Sequence, residues 1–319
     1  MIPDYGDKPY YSLSRYYRQQ FGTKVYKLSI NAGFTCPNRD GTLGIRGCSF
    51  CSAGGSGEFA GKKQDSIKDQ IAYEKKLLFP KLKHIKEISY IAYFQAYTNT
   101  YAPLTELKQV YEAALSQPQI VGLSIATRPD CIADDVAAYL KKLATRTYVS
   151  VELGLQTISE EIASHIRRGY PLSIFEDAIT RLSNANIHLV VHLIIGLPGE
   201  TKELLYDTIH YLNQLPINGI KFSLLHILKG SDMEQEYMFH KEHFPEYDPQ
   251  SYAQLITDLI RRLRPDIVVH RMTGDGPKSL LVAPAWSANK RQVLNTISKT
   301  MKDTGMTQGD MKKEIEYGK

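Results

Sequence analysis

A chain of 319 residues with 43% hydrophobic and 23% charged residues can bury a sizeable core and is too apolar for intrinsic disorder. It contains no run of eighteen apolar residues, and its start, MIPDYGDKPYYSLSRYYRQQFG, lacks the basic-then-apolar pattern of a secretion signal, so a soluble cytoplasmic protein without a membrane partner is expected. A net charge of +5 leans toward an anionic partner, and four cysteines, three of them clustered, suit a reducing compartment and a metal site better than a disulfide framework.

The first 23 residues interleave Tyr5, Tyr10, Tyr11, Tyr16 and Tyr17 with Lys8, Arg15 and Arg18. Such a mixture suits stacking on unpaired bases while holding phosphates, and it equally suits packing of the segment onto the domain. Lys24–Ile30 alternates and is β-branched enough for a first strand, which runs into GFTCPNRDGTLGIRGCSFCSAGGSG, residues 33–57. There Cys36, Cys48 and Cys51 form C-x11-C-x2-C. Three thiolates can bridge, hold zinc or hold an iron–sulfur cluster. Structural zinc wants four ligands, and the loop offers no histidine and no fourth cysteine, so zinc would have to recruit Cys131. On a cube of four irons, three thiolates leave one iron open to a substrate or cofactor.

A helix is expected from about Ser66, a plausible cap, to Leu78, with Ile67, Ile71 and Leu77 on one face. The strand–helix pattern then repeats: Ile88–Phe94 and a helix over Leu104–Leu115 with Thr105 at its start; Val121–Ala126 and a helix over Ile132–Leu143; Tyr148–Leu155 and helices over Ser159–Ile166 and Ile174–Ala185; His188–Ile195 and a helix over Glu200–Asn213; Ile220–Leu228 and a helix over Ser251–Leu263. Six apolar strands alternating with amphipathic helices imply an α/β fold with a parallel sheet, here a partial (βα)6 barrel with a C-terminal extension. Barrels of this kind build their sites at the strand C-termini. Unusual residues collect there: Gln95 to Tyr101 after the second strand, Thr127-Arg128-Pro129-Asp130 after the third, and Glu152, Gly154 and Gln156 sharing one face of the fourth. A carboxylate and an amide facing inward need a polar partner such as a ribose. Arg167-Arg168-Gly169 follows, where an arginine can fork onto a carboxylate, and Gly196-Leu197-Pro198-Gly199-Glu200 allows close backbone approach after the fifth strand.

With these residues the chain resembles the radical S-adenosylmethionine (SAM) enzymes, in which three cysteines hold a [4Fe–4S] cluster whose free iron chelates SAM. The usual C-x3-C-x2-C spacing is lengthened here, as in the branch that resembles the elongator catalytic subunit, and within that branch the chain is most similar to the bacterial YhcC/YtqA group. The resemblance implies that Cys36, Cys48 and Cys51 hold the cluster and that Phe50 lies beside the SAM adenine. It implies that Gln95 and Asn99 stand where the family binds the SAM amino group, although the usual Gly-Gly-Glu is absent. It further places Glu152 and Gln156 at the ribose, Arg168 at the methionyl carboxylate, and Gly196 and Leu197 near the adenine. The implied activity is SAM cleavage to a 5′-deoxyadenosyl radical, fed by a one-electron donor such as flavodoxin or ferredoxin. The implied substrate is tRNA, with a wobble uridine's 5-substituent processed from a carboxymethylaminomethyl toward an aminomethyl group.

The resemblance covers about residues 24–233. Arg128, His270, Arg271 and Lys278 are candidate substrate contacts, and Lys62-Lys63, Lys141-Lys142, Arg261-Arg262 with Arg264, and Lys290-Arg291 are candidate phosphate contacts or solvated helix faces. The expected divisions are residues 1–23, a core over 24–265, an extension over 266–298 and a frayed tail over 299–319. Two rivals remain: a radical enzyme on a small metabolite or protein, and a non-catalytic, zinc-stabilised nucleic-acid-binding protein.

Overall fold

The computed structural model describes residues 2–311. Strands form where apolar, β-branched runs demand them: β1 (Lys24–Ile30), β2 (Ile88–Phe94), β3 (Ile120–Thr127), β4 (Tyr148–Gln156), β5 (Ile187–Ile195) and β6 (Gly219–Leu224). Short β7 (Ile227–Leu228), β8 (Val268–Arg271) and β9 (Leu281–Ala283) follow. The helices are α1 (Leu13–Phe21), α2 (Ile67–Leu82), α3 (Leu104–Leu115), α4 (Asp134–Leu143), α5 (Glu160–His165), α6 (Leu172–Leu182), α7 (Lys202–Asn213), α8 (Asp232–Phe239), α9 (Pro249–Arg262) and α10 (Lys290–Asp303).

One seven-stranded sheet, in the order β1-β2-β3-β4-β5-β6-β8, carries the molecule, and every neighbouring pair is parallel. Its curl can be read from side chains. Lys27 on β1 reaches Ser124 on β3 at 2.9 Å and Glu152 on β4 at 2.5 Å, and Lys221 on β6 reaches Tyr93 on β2 at 3.0 Å. In a flat sheet β1 and β4 would stand about 14 Å apart and β2 and β6 about 19 Å apart, so the sheet closes most of a barrel around these groups. The outer faces pack Leu123, Val151, Leu189 and Phe222 against buried Leu107, Leu140, Phe175 and Ile256 of the helices.

Several boundaries differ from expectation. The sixth strand stops at Leu224, after which the Leu225 N–H makes a last bond to Ile195 O and Ile227–Leu228 pairs antiparallel with β9. Val268–Arg271 joins the main sheet as a seventh parallel strand rather than lying beyond it. Ser66 does cap α2, but that helix runs on to Leu82, which is buried, while Leu77 is exposed. Thr105 is no cap, because Pro103 takes the N-cap position of α3.

Both ends of the described part are also tied down. Tyr5, Tyr10, Tyr11 and Tyr17 are buried, Tyr16 stacks on His188 with centroids 4.5 Å apart, and Val269 N–H bonds Tyr11 O at 2.8 Å. The N-terminal tyrosines therefore plug the barrel at its strand N-termini, which withdraws them from base stacking. Residues 299–303 complete α10, and Gln308 is buried, donating to the Arg264 and Ile267 carbonyls at 2.8 Å each. The expected fraying does not hold as far as Met311, and residues 312–319 lie outside the described part.

Candidate active site

The cysteine loop follows β1 and is fixed by its own side chains. Asn38 Nδ2 donates to Cys48 Sγ at 3.4 Å and to Arg167 O at 2.8 Å, while Arg39 donates to Ser52 O at 2.6 Å and Cys51 O at 3.2 Å. Cys51 N–H closes on Cys48 O at 3.0 Å. Two glycines are required by close approach as well as by positive φ. A Cβ on Gly55, at φ +59°, would lie 2.4 Å from the Tyr97 ring, and one on Gly169, at φ +83°, would lie 2.7 Å from Asn38 Oδ1.

Cys36, Cys48 and Cys51 all line one chamber of about 250 Å³ at the C-terminal ends of the strands. Their spacing decides which metal centre they fit. Zinc holds its sulfurs at about 2.3 Å, which places them about 3.8 Å from one another. Among the described residues, only exposed His240, Glu242 and His243 bring three ligand atoms within 4.8 Å of each other. Cys131, the fourth ligand that zinc would need, does not line the chamber; its thiol donates to Asp130 Oδ1 at 3.7 Å. The triplet thus fits a wider, polynuclear cluster and not a zinc ion. Burial pushes the Cys48 thiol up to about 11, with neighbouring Cys51 adding to it, and burial raises Cys51 too. Such thiols ionise against the positive charge of bound metal.

Beneath the loop lies a buried polar floor. Glu152 on β4 accepts from Lys27, Ser124, Lys221 and His192, at 2.5 Å from Lys27, 2.7 Å from Ser124 and 2.8 Å from His192. Burial alone would raise its carboxyl, but Lys221 and Lys27 outweigh burial and hold it well below the ordinary value. Burial lowers Lys221, with Glu152 opposing. His192 is pushed down to about 4 by burial and by Lys221, so its contact with Glu152 is a hydrogen bond from a neutral ring rather than an ion pair. Tyr93 lies under both ammoniums, each 4.7 Å from its ring centroid.

The expected site residues divide into those that face the chamber and those that do not. Phe50, Gln95, Arg128, Glu152, Gln156, Arg168 and Arg271 line it. Gln95 donates to Ser56 O at 2.7 Å, and Gln156 sits at φ +63° beyond an irregularity in the β4–β5 pairing, so the expected alternation breaks while the side chain still faces inward. Glu152 faces inward too, and its two oxygens accept from two lysines, a serine and a histidine. Arg168 is buried at the chamber wall, with its fork donating to the carbonyls of Tyr170, Leu155 and Thr157 and to Glu160. Arg128, also on the chamber wall, clamps Asp130 at 2.7 and 2.9 Å and donates to Arg168 O.

Asn99 is buried away from the chamber, donating to Phe94 O at 3.1 Å and Ala126 O at 2.9 Å. Its amide nitrogen pins the β2 and β3 ends, while its Oδ1 is buried with no hydrogen-bond partner among the described residues. Gly196 and Leu197 stand back from the chamber as well; Leu197 is buried, and Gly196 lines a second cavity and donates its N–H to Glu200 at 2.6 Å. His270 lies at the closed end of the barrel, 3.0 Å from His188, and Lys278 is exposed without lining the chamber. Of the basic groups, Arg261 pairs with Asp310, Arg262 stacks on Tyr206 and Arg264 holds carbonyls of Asn213, Leu215 and Ile217. These three are structural.

Lys27, Tyr93, His192 and Lys221 escaped the sequence reading. Their signal was present: a charged or polar residue inside an otherwise apolar strand, as in KVYKLSI and IKFSLL, has to face a polar interior.

Comparison with known proteins agrees with this geometry. The Radical SAM superfamily profile matches residues 34–212, and the Radical_SAM C-terminal domain profile matches residues 217–303. The chain is 43% identical to the uncharacterised protein YtqA of Bacillus subtilis over 97% of this chain and 95% of that one, and 34% identical to protein YhcC of Escherichia coli over 85% of each. A tRNA uridine(34) acetyltransferase of Dehalococcoides mccartyi is 26% identical over 56% of this chain and 38% of its own. In three dimensions, the archaeal Elp3 of Methanocaldococcus infernus superposes with a TM-score of 0.64 at 16% identity, covering 89% of this chain and 64% of that one, which is a likeness of fold. Parallel half-barrel, cysteine loop and profile match together make this chain a member of the radical SAM superfamily, whose cofactors are a [4Fe–4S] cluster and SAM.

Proposed function

We propose that this radical SAM enzyme modifies tRNA, acting on the 5-substituent of a wobble uridine in a reaction of the carboxymethylaminomethyl-to-aminomethyl type. The bound cluster and SAM supply the one-electron cleavage and the 5′-deoxyadenosyl radical. The chain's own residues contribute the rest. Cys36, Cys48 and Cys51 hold the cluster, Asn38 steadies Cys48, Phe50 and Gln156 present an aromatic edge and an amide to SAM, and the floor from Lys27 to Lys221 supplies fixed polar groups beneath. A one-electron donor such as flavodoxin or ferredoxin, and a cytoplasmic setting that keeps the thiols reduced, belong to the same reading.

The observation that carries the tRNA reading is a deep, cation-walled chamber open at one end, in a chain similar to a tRNA uridine(34) acetyltransferase. A base can enter such a chamber only unstacked, so an anticodon loop should react far better than the same base in a duplex. The exposed Lys62-Lys63 pair just beyond the cysteine loop can meet phosphates, as can exposed Arg46, which lies 3.8 Å from Asp232; Lys141-Lys142 end α4, at the closed side of the barrel. With about four phosphate contacts, raising salt fourfold should weaken tRNA binding about 50- to 150-fold. Titration at two salt concentrations and mass analysis of digested nucleosides after anaerobic turnover test this. Salt-insensitive binding with no altered wobble nucleoside would return the small-metabolite radical enzyme to first place.

A further inference from the structure

Arg271, at the C-terminal end of β8, is the unspent cation of the chamber. It is half-buried, it lines the cavity, and among the described residues its guanidinium makes no hydrogen bond. Its nearest carboxylate, Asp275, is 3.8 Å away and is already held by Lys290 at 2.7 Å. Lys27 and Lys221 share the single carboxylate of Glu152. Lys290 and Asp275 lie at the exposed rim, so inside it Arg271 stands beside two lysines that already share Glu152. A half-buried guanidinium on the chamber wall, with no hydrogen-bonded acceptor of its own, gains from an incoming anion.

We propose that this wall is a receptor for a carboxylate on the substrate, with Arg271 forking onto its two oxygens above the Lys221–Glu152–Lys27 floor. A guanidinium matches the planar carboxylate with two parallel N–H donors. The floor beneath is already satisfied, so the new anion meets Arg271 first and the third N–H of Lys221 next. A backbone phosphate does not fit this place, since it is flanked by nucleosides on both sides and cannot reach the inside of a barrel. A carboxylate at the end of a base's side arm can. SAM carries a carboxylate as well, but Arg271 is grouped with the floor rather than the thiols. Its charge is felt by Tyr93, Lys221, His192 and His226, whereas the thiols of Cys48 and Cys51 feel Arg128 and Arg39 respectively.

This assignment rests on the tRNA reading for the identity of the substrate, and two arms separate the two. In the first, cluster-loaded protein is titrated anaerobically with acetate and with acetamide while its melting temperature is followed. Acetate should stabilise the native protein and not Arg271→Gln, and acetamide should stabilise neither. In the second, affinities are measured for two tRNAs that differ only in carrying a 5-carboxymethylaminomethyl or a 5-aminomethyl wobble uridine, alongside affinity for SAM. The native enzyme should prefer the carboxylated tRNA at least tenfold, and Arg271→Gln should bring that ratio near one with SAM affinity intact. An acetate response without binding of either tRNA keeps the anion receptor and removes the tRNA reading. An acetate response unchanged by Arg271→Gln, a preference that survives it, or a loss of SAM affinity in its place overturns the proposal.

Discussion

Replacing Glu152 by Gln asks most directly what the buried carboxylate does. The substitution keeps size and shape but turns one of two acceptor oxygens into a donor facing ammonium groups. Lys27 and Lys221, which both bond the carboxylate, lose their shared counter-charge inside the barrel. Breaking a buried pair by removing one partner costs about 3–5 kcal/mol. With an unfolding entropy of about 2.1 cal/mol/K per residue, a chain of this length has an entropy of about 0.7 kcal/mol/K at its midpoint, so the melting temperature should fall by about 5–8 °C. Anaerobic calorimetry at equal cluster loading reads that shift, and isothermal titration of the same samples reads SAM affinity, expected within about threefold of native. Removing Lys221 as well, in Glu152→Gln with Lys221→Met, should recover part of the loss, because the double variant buries one unpaired cation fewer. If Glu152→Gln melted within about 2 °C of native while SAM affinity dropped tenfold or more, the carboxylate would be a ribose ligand and the lysine floor would not be what holds it.

Two further outcomes follow from the site. Alanine at Cys36, Cys48 or Cys51 should abolish iron and sulfide loading, whereas Cys131→Ala, outside the chamber, should keep both; equal loss in Cys131→Ala would bring back a four-thiolate centre. Burial raises the Glu200 carboxyl to about 8, although the Gly196 and Leu197 amides pull it down. The folded protein therefore holds a proton there that the unfolded chain releases near its ordinary value, so this contribution is complete at low pH and is lost as pH rises toward 8. Glu200→Gln should flatten the decline of melting temperature between about pH 5 and pH 8, and an unchanged slope in thermal scans would place the dependence elsewhere.

Much of this protein is fixed by local pattern. Apolar, β-branched runs separated by amphipathic segments name the strands nearly to the residue, as Lys24–Ile30 and Ile88–Phe94 show, because parallel strands buried on both faces admit little else. The cysteine spacing and the glycines around it are equally local, since they reflect thiolate chemistry and positive φ. Which polar groups meet is another matter. Lys27, Glu152 and Lys221 are separated by 125 and 69 positions, and their contact exists only because the sheet curls. The same curl engages donors that look available in sequence: Arg168 and Arg128 spend theirs on loop carbonyls and on Glu160 and Asp130, and Asn99 spends its amide N–H groups on two strand ends while its Oδ1 meets no partner among the described residues. An arginine's type announces that it will find acceptors, but only the tertiary structure decides whether those acceptors are the protein's own backbone or a ligand. Arg271, with the same chemistry but among the described residues no hydrogen-bonded acceptor and only a shared carboxylate at 3.8 Å, is left facing the chamber for that physical reason.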